Sequence, residues 1–177
     1  MKVGVRYIVV LFVASIFTAC GEPSLQKYFV EKQDDPKFMK IDLAPSLLEG
    51  NKTLGPEEKE TLKGIKKINV VALPVKEDNK MDFEMERDAL EAILHQEKYK
   101  ELTRVKSSDW NFTVNYTGEE TAIDEVIVYA FNNEQGLAVF RLLGDELKPE
   151  QIVEFVMNAK DSGMDFSGLE GLKDFFK

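Results

Sequence analysis

The chain has 177 residues, 44% of them apolar and 31% charged, with 11 glycines and 6 prolines. That is the make-up of an ordinary folded protein rather than of a disordered, collagen-like or multi-span membrane chain. A formal charge of −9 argues against nucleic acid as a partner. One cysteine and one histidine in the whole chain exclude a disulfide framework, a zinc cluster of Cys and His, and Cys–His catalysis.

Lys2 and Arg6 are the only charges before Glu22, and Tyr7 to Ala19 carries none. A basic start followed by a short apolar run reads as a secretory signal, since a permanent span needs roughly 20 apolar residues. The run ends in Phe17-Thr18-Ala19-Cys20. Ordinary signal peptidase favours small residues at the last and third-last positions before the cut. Ala19 meets that rule and Phe17 does not. The ending is similar to a bacterial lipobox instead, with Phe17 where leucine is usual, and the lone cysteine falls where lipid would be attached. A chance cysteine closing an ordinary signal is the alternative.

The expected organisation is a lipoprotein signal peptide over 1–19, a short lipid-anchored tether over 20–23, and one domain over 24–177. Cleavage removes Lys2 and Arg6, so the mature chain is more acidic than the whole, and acylation of Cys20 leaves no free thiol. Each buried CH₂ of an acyl chain contributes about 0.8 kcal/mol, and more than one chain holds a protein stably on a bilayer. The membrane is therefore a partner through the anchor at Cys20. Gly21 stands where inner-membrane lipoproteins of enteric-type bacteria carry Asp, which points by analogy to the outer membrane. Periplasmic and surface faces stay open.

Ser24 can cap a short helix that puts Leu25, Tyr28 and Phe29 on one face. Pro36 blocks its continuation, and residues 38–44 can form a strand with Met39, Ile41 and Leu43 alternating. Gly55-Pro56 opens a second helix, its acids Glu57, Glu58 and Glu60 early and Lys63, Lys66 and Lys67 late, as the helix dipole favours. Ile68 to Leu73 is continuous and apolar and reads as a buried strand ended by Pro74. Asp82 starts a third helix to about Glu97, with Phe83, Ala89, Leu90, Ile93 and Leu94 facing the core.

The pattern then turns from helical to alternating. Leu102 and Val105 suggest one strand, and Trp110, Phe112, Val114 and Tyr116 give strict period-two alternation in the next, with the intervening Thr and Asn facing water. Val126 to Phe131 and Leu137 to Leu143 are two strands joined across Asn132 to Gly136, a hairpin with a longer loop. Pro149 begins a helix with a stripe of Ile152, Val153, Val156 and Ala159, and a last amphipathic stretch carries Leu169, Leu172, Phe175 and Phe176. This order predicts an α+β two-layer domain, its mainly antiparallel sheet ending in a meander and covered by helices on one face.

The candidates for chemistry are few. His95 follows Glu91 by four residues on a helix, which is half a metal site at most; a surface pair explains it better, and no metal is expected. Asp78 to Asp82 looks like a calcium loop, but Lys80 stands where an oxygen ligand belongs, so a turn capping the next helix fits better. The acid pairs Asp34-Asp35, Glu57-Glu58 and Glu119-Glu120 are neighbours in sequence, which does not set two carboxyls across a cleft. Around Ser167, Asp165 and Leu169 occupy the places of both glycines of a nucleophile elbow. The weakly helical C-terminal stretch, interrupted by Gly168 and Gly171, either docks on its own domain or presents Leu169, Leu172, Phe175 and Phe176 to a partner.

The lipobox-like Phe17 to Cys20, the aromatic opening helix around Tyr28-Phe29, the passage from Gly64 to Ile68 and the late hairpin leading to Gly144-Asp145 together resemble bacterial envelope lipoproteins of domain-of-unknown-function family 4252. The resemblance spans most of the mature chain and implies an envelope location and a small domain of unassigned activity, sometimes encoded beside envelope-stress systems. It transfers no active-site residue and implies no cofactor.

Three functions are compatible with these residues. The first is a non-catalytic envelope lipoprotein that binds another, unidentified envelope protein. The second is a carrier or sensor of an apolar ligand held between sheet and helices. The third is a carboxylate-dependent hydrolase, which needs two acids converging in one cleft.

Overall fold

The computed structural model describes residues 22–46, 55–106, 110–148 and 151. Helix α1 (Leu25–Glu31) is capped by Ser24, whose Oγ accepts from the Lys27 amide at 3.2 Å, and it buries Leu25 and Tyr28. Strand β1 (Met39–Leu43) follows the turn at Pro36, and helix α2 (Pro56–Gly64) starts with proline in its first turn. Strand β2 (Ile65–Pro74) leads to helix α3 (Lys80–Leu94). Strands β3 (Lys100–Lys106), β4 (Asn111–Glu119), β5 (Ala122–Asn132) and β6 (Gly136–Leu147) complete the series.

The six strands form one sheet in the order β1-β2-β6-β5-β4-β3, with every neighbouring pair antiparallel. The architecture is a sheet-dominated α+β fold. Strands β3 to β6 make the expected meander, and β6 then pairs on its far side with β2, which carries β1. The tight ends of the meander need glycine: Gly118 and Gly136 both have positive φ, 97° and 136°, where a side chain would clash with its own backbone. Asn132 fixes the second turn by accepting from the Glu134 and Gln135 amides at 2.7 and 3.0 Å.

Alternate residues of β2, β5 and β6 enter two apolar clusters, one per face, while β1, β3 and β4 supply only the first. One holds Ile68, Val70, Val114, Tyr116, Val126 and Leu142. The other holds Val71, Leu73, Ile127, Tyr129, Leu137 and Val139, packed with Leu25 and Tyr28 of α1 and Phe83, Leu90 and Ile93 of α3. Leu62 of α2 belongs to the first cluster, so the described helices do not all share one face.

Three local expectations are corrected. Ala89 of α3 is exposed and does not face the core, unlike Phe83, Leu90, Ile93 and Leu94. The second helix does not run on to Lys66 and Lys67; it ends at Gly64, and both lysines lie on β2. Basic residues at a helix end contribute about 0.3–1 kcal/mol each through the dipole, whereas burying an isoleucine contributes about 1.5–3 kcal/mol. Ile65 and Ile68 are both buried in the strand, and a register shift between Ile65 and Lys67 keeps the lysines exposed. Nor do all the polar residues of β4 face water, because Asn115 is only 3% exposed. The expected helix from Pro149, with Ile152, Val153, Val156 and Ala159, lies outside the described residues.

Candidate functional site

Helix α3 ends over the sheet. His95 is its C-cap, with its amide on the Glu91 carbonyl at 3.0 Å, and the Tyr99 amide closes the following turn on the Gln96 carbonyl at 2.9 Å. The chain then enters β3 at the edge of the sheet. The end of the helix therefore stands above the outer three strands, whose register sets three rows: Glu101–Asn115–Ile127, Arg104–Thr113–Tyr129 and Lys106–Asn111–Phe131.

Between these rows and the helix end lies a pocket of about 410 Å³. Glu91, Leu94, His95, Gln96 and Tyr99 form its helical wall, and Arg104, Asn111, Thr113, Asn115 and Tyr129 are on its floor. Tyr129 and Phe131 stack with ring centroids 5.5 Å apart. The wall is tied to α1: the Gln96 side-chain amide donates to the Pro23 carbonyl at 2.7 Å, and the Tyr99 hydroxyl accepts from the Leu25 amide at 2.9 Å.

Three of the lining residues hold a buried polar atom without a hydrogen-bond partner: Gln96 Oε1, Asn115 Oδ1 and the Tyr129 hydroxyl. Each such atom costs about 1–3 kcal/mol of desolvation unless water or a bound group satisfies it; Tyr28, Glu86 and Gln135 hold three more away from the pocket. Asn115 uses its other end only weakly, donating to the Tyr99 carbonyl at 3.4 Å. Burial holds the Tyr129 phenol well above its ordinary range, and the Glu91 carboxylate adds to this. Tyr129 is therefore an uncharged hydroxyl that can donate or accept.

The charged rim is mixed. Arg104 grips Glu101 with Nη2 on Oε2 at 2.6 Å and Nε on Oε1 at 3.4 Å. His95 and Glu91 both line the pocket, but their contact is not the side-chain pair that the four-residue spacing suggests. His95 Nδ1 lies 2.6 Å from the Glu91 backbone carbonyl. Among the described residues no group of three or more His, Cys, Asp or Glu is placed to hold a metal. The stretch Asp78 to Asp82 is no calcium loop: a turn at Glu77-Asp78 leads straight into α3 from Lys80, and the Asn79 side chain holds that turn by accepting from the Lys76 amide at 2.7 Å and donating to the Pro74 carbonyl at 2.9 Å. Asp34, Glu57, Glu119 and Glu120 are exposed.

The site residues expected from sequence, Cys20 for lipidation and Leu169, Leu172, Phe175 and Phe176 as a partner surface, lie outside the described residues, as does Ser167. The pocket itself is missed by sequence reasoning. Its one local trace is the set Asn111, Thr113 and Asn115, three polar residues on a single face of β4.

Among the described residues no helix is long and apolar enough to cross a membrane. No curated protein and no solved structure matches the chain. The family model of the domain of unknown function DUF4252 matches residues 28–155, a span that takes in all six strands, α2, α3 and every residue that lines the pocket. On that match the chain belongs to the DUF4252 family.

Proposed function

We propose that this chain is a non-catalytic lipoprotein of the bacterial cell envelope, held through acyl chains on Cys20 at the outer membrane, and that it works by binding another protein. The observation that carries the binding role is the pocket at the sheet edge. Its floor and wall hold three buried polar atoms without a partner inside the fold, and polar groups of a bound chain would satisfy them. The anchor rests on the leader and the position of the single cysteine.

The apolar-carrier reading is favoured by where the pocket lies, between sheet and helix. Its lining weighs against it, because an apolar guest would seal Gln96, Asn115 and Tyr129 without supplying a hydrogen bond. A carboxylate-dependent hydrolase would draw on Glu91, Glu97 and Glu101, which all line the pocket; Glu101 is already engaged by Arg104.

Two measurements test the proposal. Cys20→Ala should move the protein out of the membrane fraction while the six-stranded sheet stays folded. A photo-crosslinking side chain at Thr113, in cells, should give a discrete protein adduct from the anchored form. Retention of Cys20→Ala in the membrane at normal levels would overturn the anchor, and absence of any protein adduct would overturn the binding role.

A further inference from the structure

We infer that the outer edge of β3 is a docking site for an acidic, extended segment of a partner protein, which adds to the sheet as a seventh strand and places alternate side chains over the pocket. This rests on the protein-binding role proposed above and names the chemistry of the partner. Three independent features of β3 carry it.

The first is position. Strand β3 ends the sheet in the order β1-β2-β6-β5-β4-β3, so it pairs with β4 on one side only among the described strands. It is also open to solvent: five of its seven residues are exposed, including the apolar Val105 at 37%. An edge of that kind presents a row of backbone donors and acceptors that a further strand can take up.

The second is charge. The chain as a whole carries −9, yet Lys98, Lys100, Arg104 and Lys106 stand on and beside this one strand against two acids, Glu97 and Glu101, and Glu101 is held by Arg104. Cations on an edge oppose pairing with a second copy of the same edge, and the same charges attract a strand that carries carboxylates. Selectivity follows from one feature.

The third is the hollow beside the edge. A strand whose only need is protection from aggregation has no use for a cavity under its inner face. Here Arg104 and Lys106 form one side of the pocket with Asn111 and Thr113 next to them. A strand added about 4.8 Å beyond β3 would alternate its side chains between the two faces. Those on the α3 side stand at the pocket, within reach of Lys106 and of Arg104, where an incoming carboxylate would compete with Glu101.

The test uses the full chain and a blocked, fluorescently labelled peptide that alternates glutamate with valine, read by anisotropy and by amide hydrogen exchange. Binding should slow exchange within Lys100–Lys106, and Arg104→Glu with Lys106→Glu should weaken it about tenfold, two attractive contacts becoming repulsive. Both residues are exposed, so the variant should keep the exchange pattern of β5 and β6. Two further peptides carry N-methyl groups on one or the other alternate set of backbone nitrogens. One of them should lose binding and the other keep it, because only one set faces β3.

Equal binding by both methylated peptides, unchanged affinity in the charge-reversed variant, or protection confined to another strand would each overturn the inference. Failure of the peptide alongside a discrete adduct from Thr113 in cells would sink this assignment alone and leave the protein-binding role standing.

Discussion

Gly144 of β6 and Gly64 at the end of α2 approach so closely that a methyl group on Gly144 would run into the Gly64 carbonyl oxygen and stand 2.7 Å from Leu147 Cδ2. This is where α2 is seated against the sheet, with Ile65 paired to Gly144 in the first step of β2. The obstacle to a side chain at 144 is backbone, which cannot rotate away. Gly144→Ala should cost about 3 kcal/mol, the upper part of the range for overpacking. The same change at Gly64 meets only Leu147 Cδ2, at 3.1 Å. That side chain can shift, and alanine is the better helix former by up to about 1 kcal/mol, so Gly64→Ala should stay within about 1 kcal/mol of wild type. Urea unfolding of both variants checks this, and equal losses would show that the close approach is not what seats α2.

A second constraint joins the sheet to α1. Arg141 and Glu125 face each other across β6 and β5 with each side chain 11% exposed. Arg141 also reaches Gln26 and lies over the Phe29 ring at 6.0 Å. Removing one member of a buried pair strands the other charge, at a cost of about 3–5 kcal/mol. Glu125→Leu and Arg141→Met should each be destabilising on that scale, while the double replacement should recover most of the loss. A double-mutant cycle measures it, and two single losses below about 1 kcal/mol would mean that solvent already screens the pair.

Much of the fold is legible in local pattern because local pattern builds it. Period-two alternation from Trp110 to Tyr116, the turn residues from Asn132 to Gly136 and the spacing of Phe83, Leu90, Ile93 and Leu94 each lead to the right element. The placement of β2 between β1 and β6 is not visible there, since the pairing of Ile68 with Leu142 joins residues far apart in the chain and neither carries a mark of its partner. Lys66 and Lys67 mislead for a related reason: a helix end and a bulged strand both tolerate exposed lysines, and the burial of Ile65 decides between them. The pocket is hidden more deeply. Gln96, Asn115 and Tyr129 are ordinary residues on three different segments. The unmet hydrogen bonds that single them out exist only once the turn after α3 is laid over β4 and β5.

Buried tyrosines set the behaviour in alkali. Burial raises the pKa of Tyr28, with the Glu86 carboxylate adding to it, and burial raises that of Tyr129. An ordinary tyrosine titrates at 10.0. Above that pH the unfolded chain releases these two protons and the folded chain keeps them, so the unfolded state binds fewer protons and stability falls as pH rises. Each tyrosine should contribute a loss of about 1.4 kcal/mol per pH unit. A phenolate absorbance titration, compared with those of Tyr28→Phe and Tyr129→Phe, should show these two tyrosines ionising only together with loss of the fold. Ionisation of either near pH 10 with the fold intact would contradict the burial argument.

Tyr129 allows the pocket to be probed without any ligand. Its hydroxyl is buried, lacks a hydrogen-bond partner and lies on the pocket floor. A hydroxyl in that state destabilises the fold by its desolvation, so Tyr129→Phe should stabilise by about 1 kcal/mol while leaving the Phe131 stack in place. It should also lessen the alkaline loss, because the share that comes from Tyr129 is removed. The opposite sign is informative as well. A loss of about 1 kcal/mol would show that the hydroxyl is already satisfied in the free protein, by ordered water held in the pocket. The polar atoms would then be a hydration site, and the argument that they await a partner would fall. Urea unfolding at neutral pH, repeated above pH 10, separates the two cases, since hydration changes the first measurement and burial governs the second.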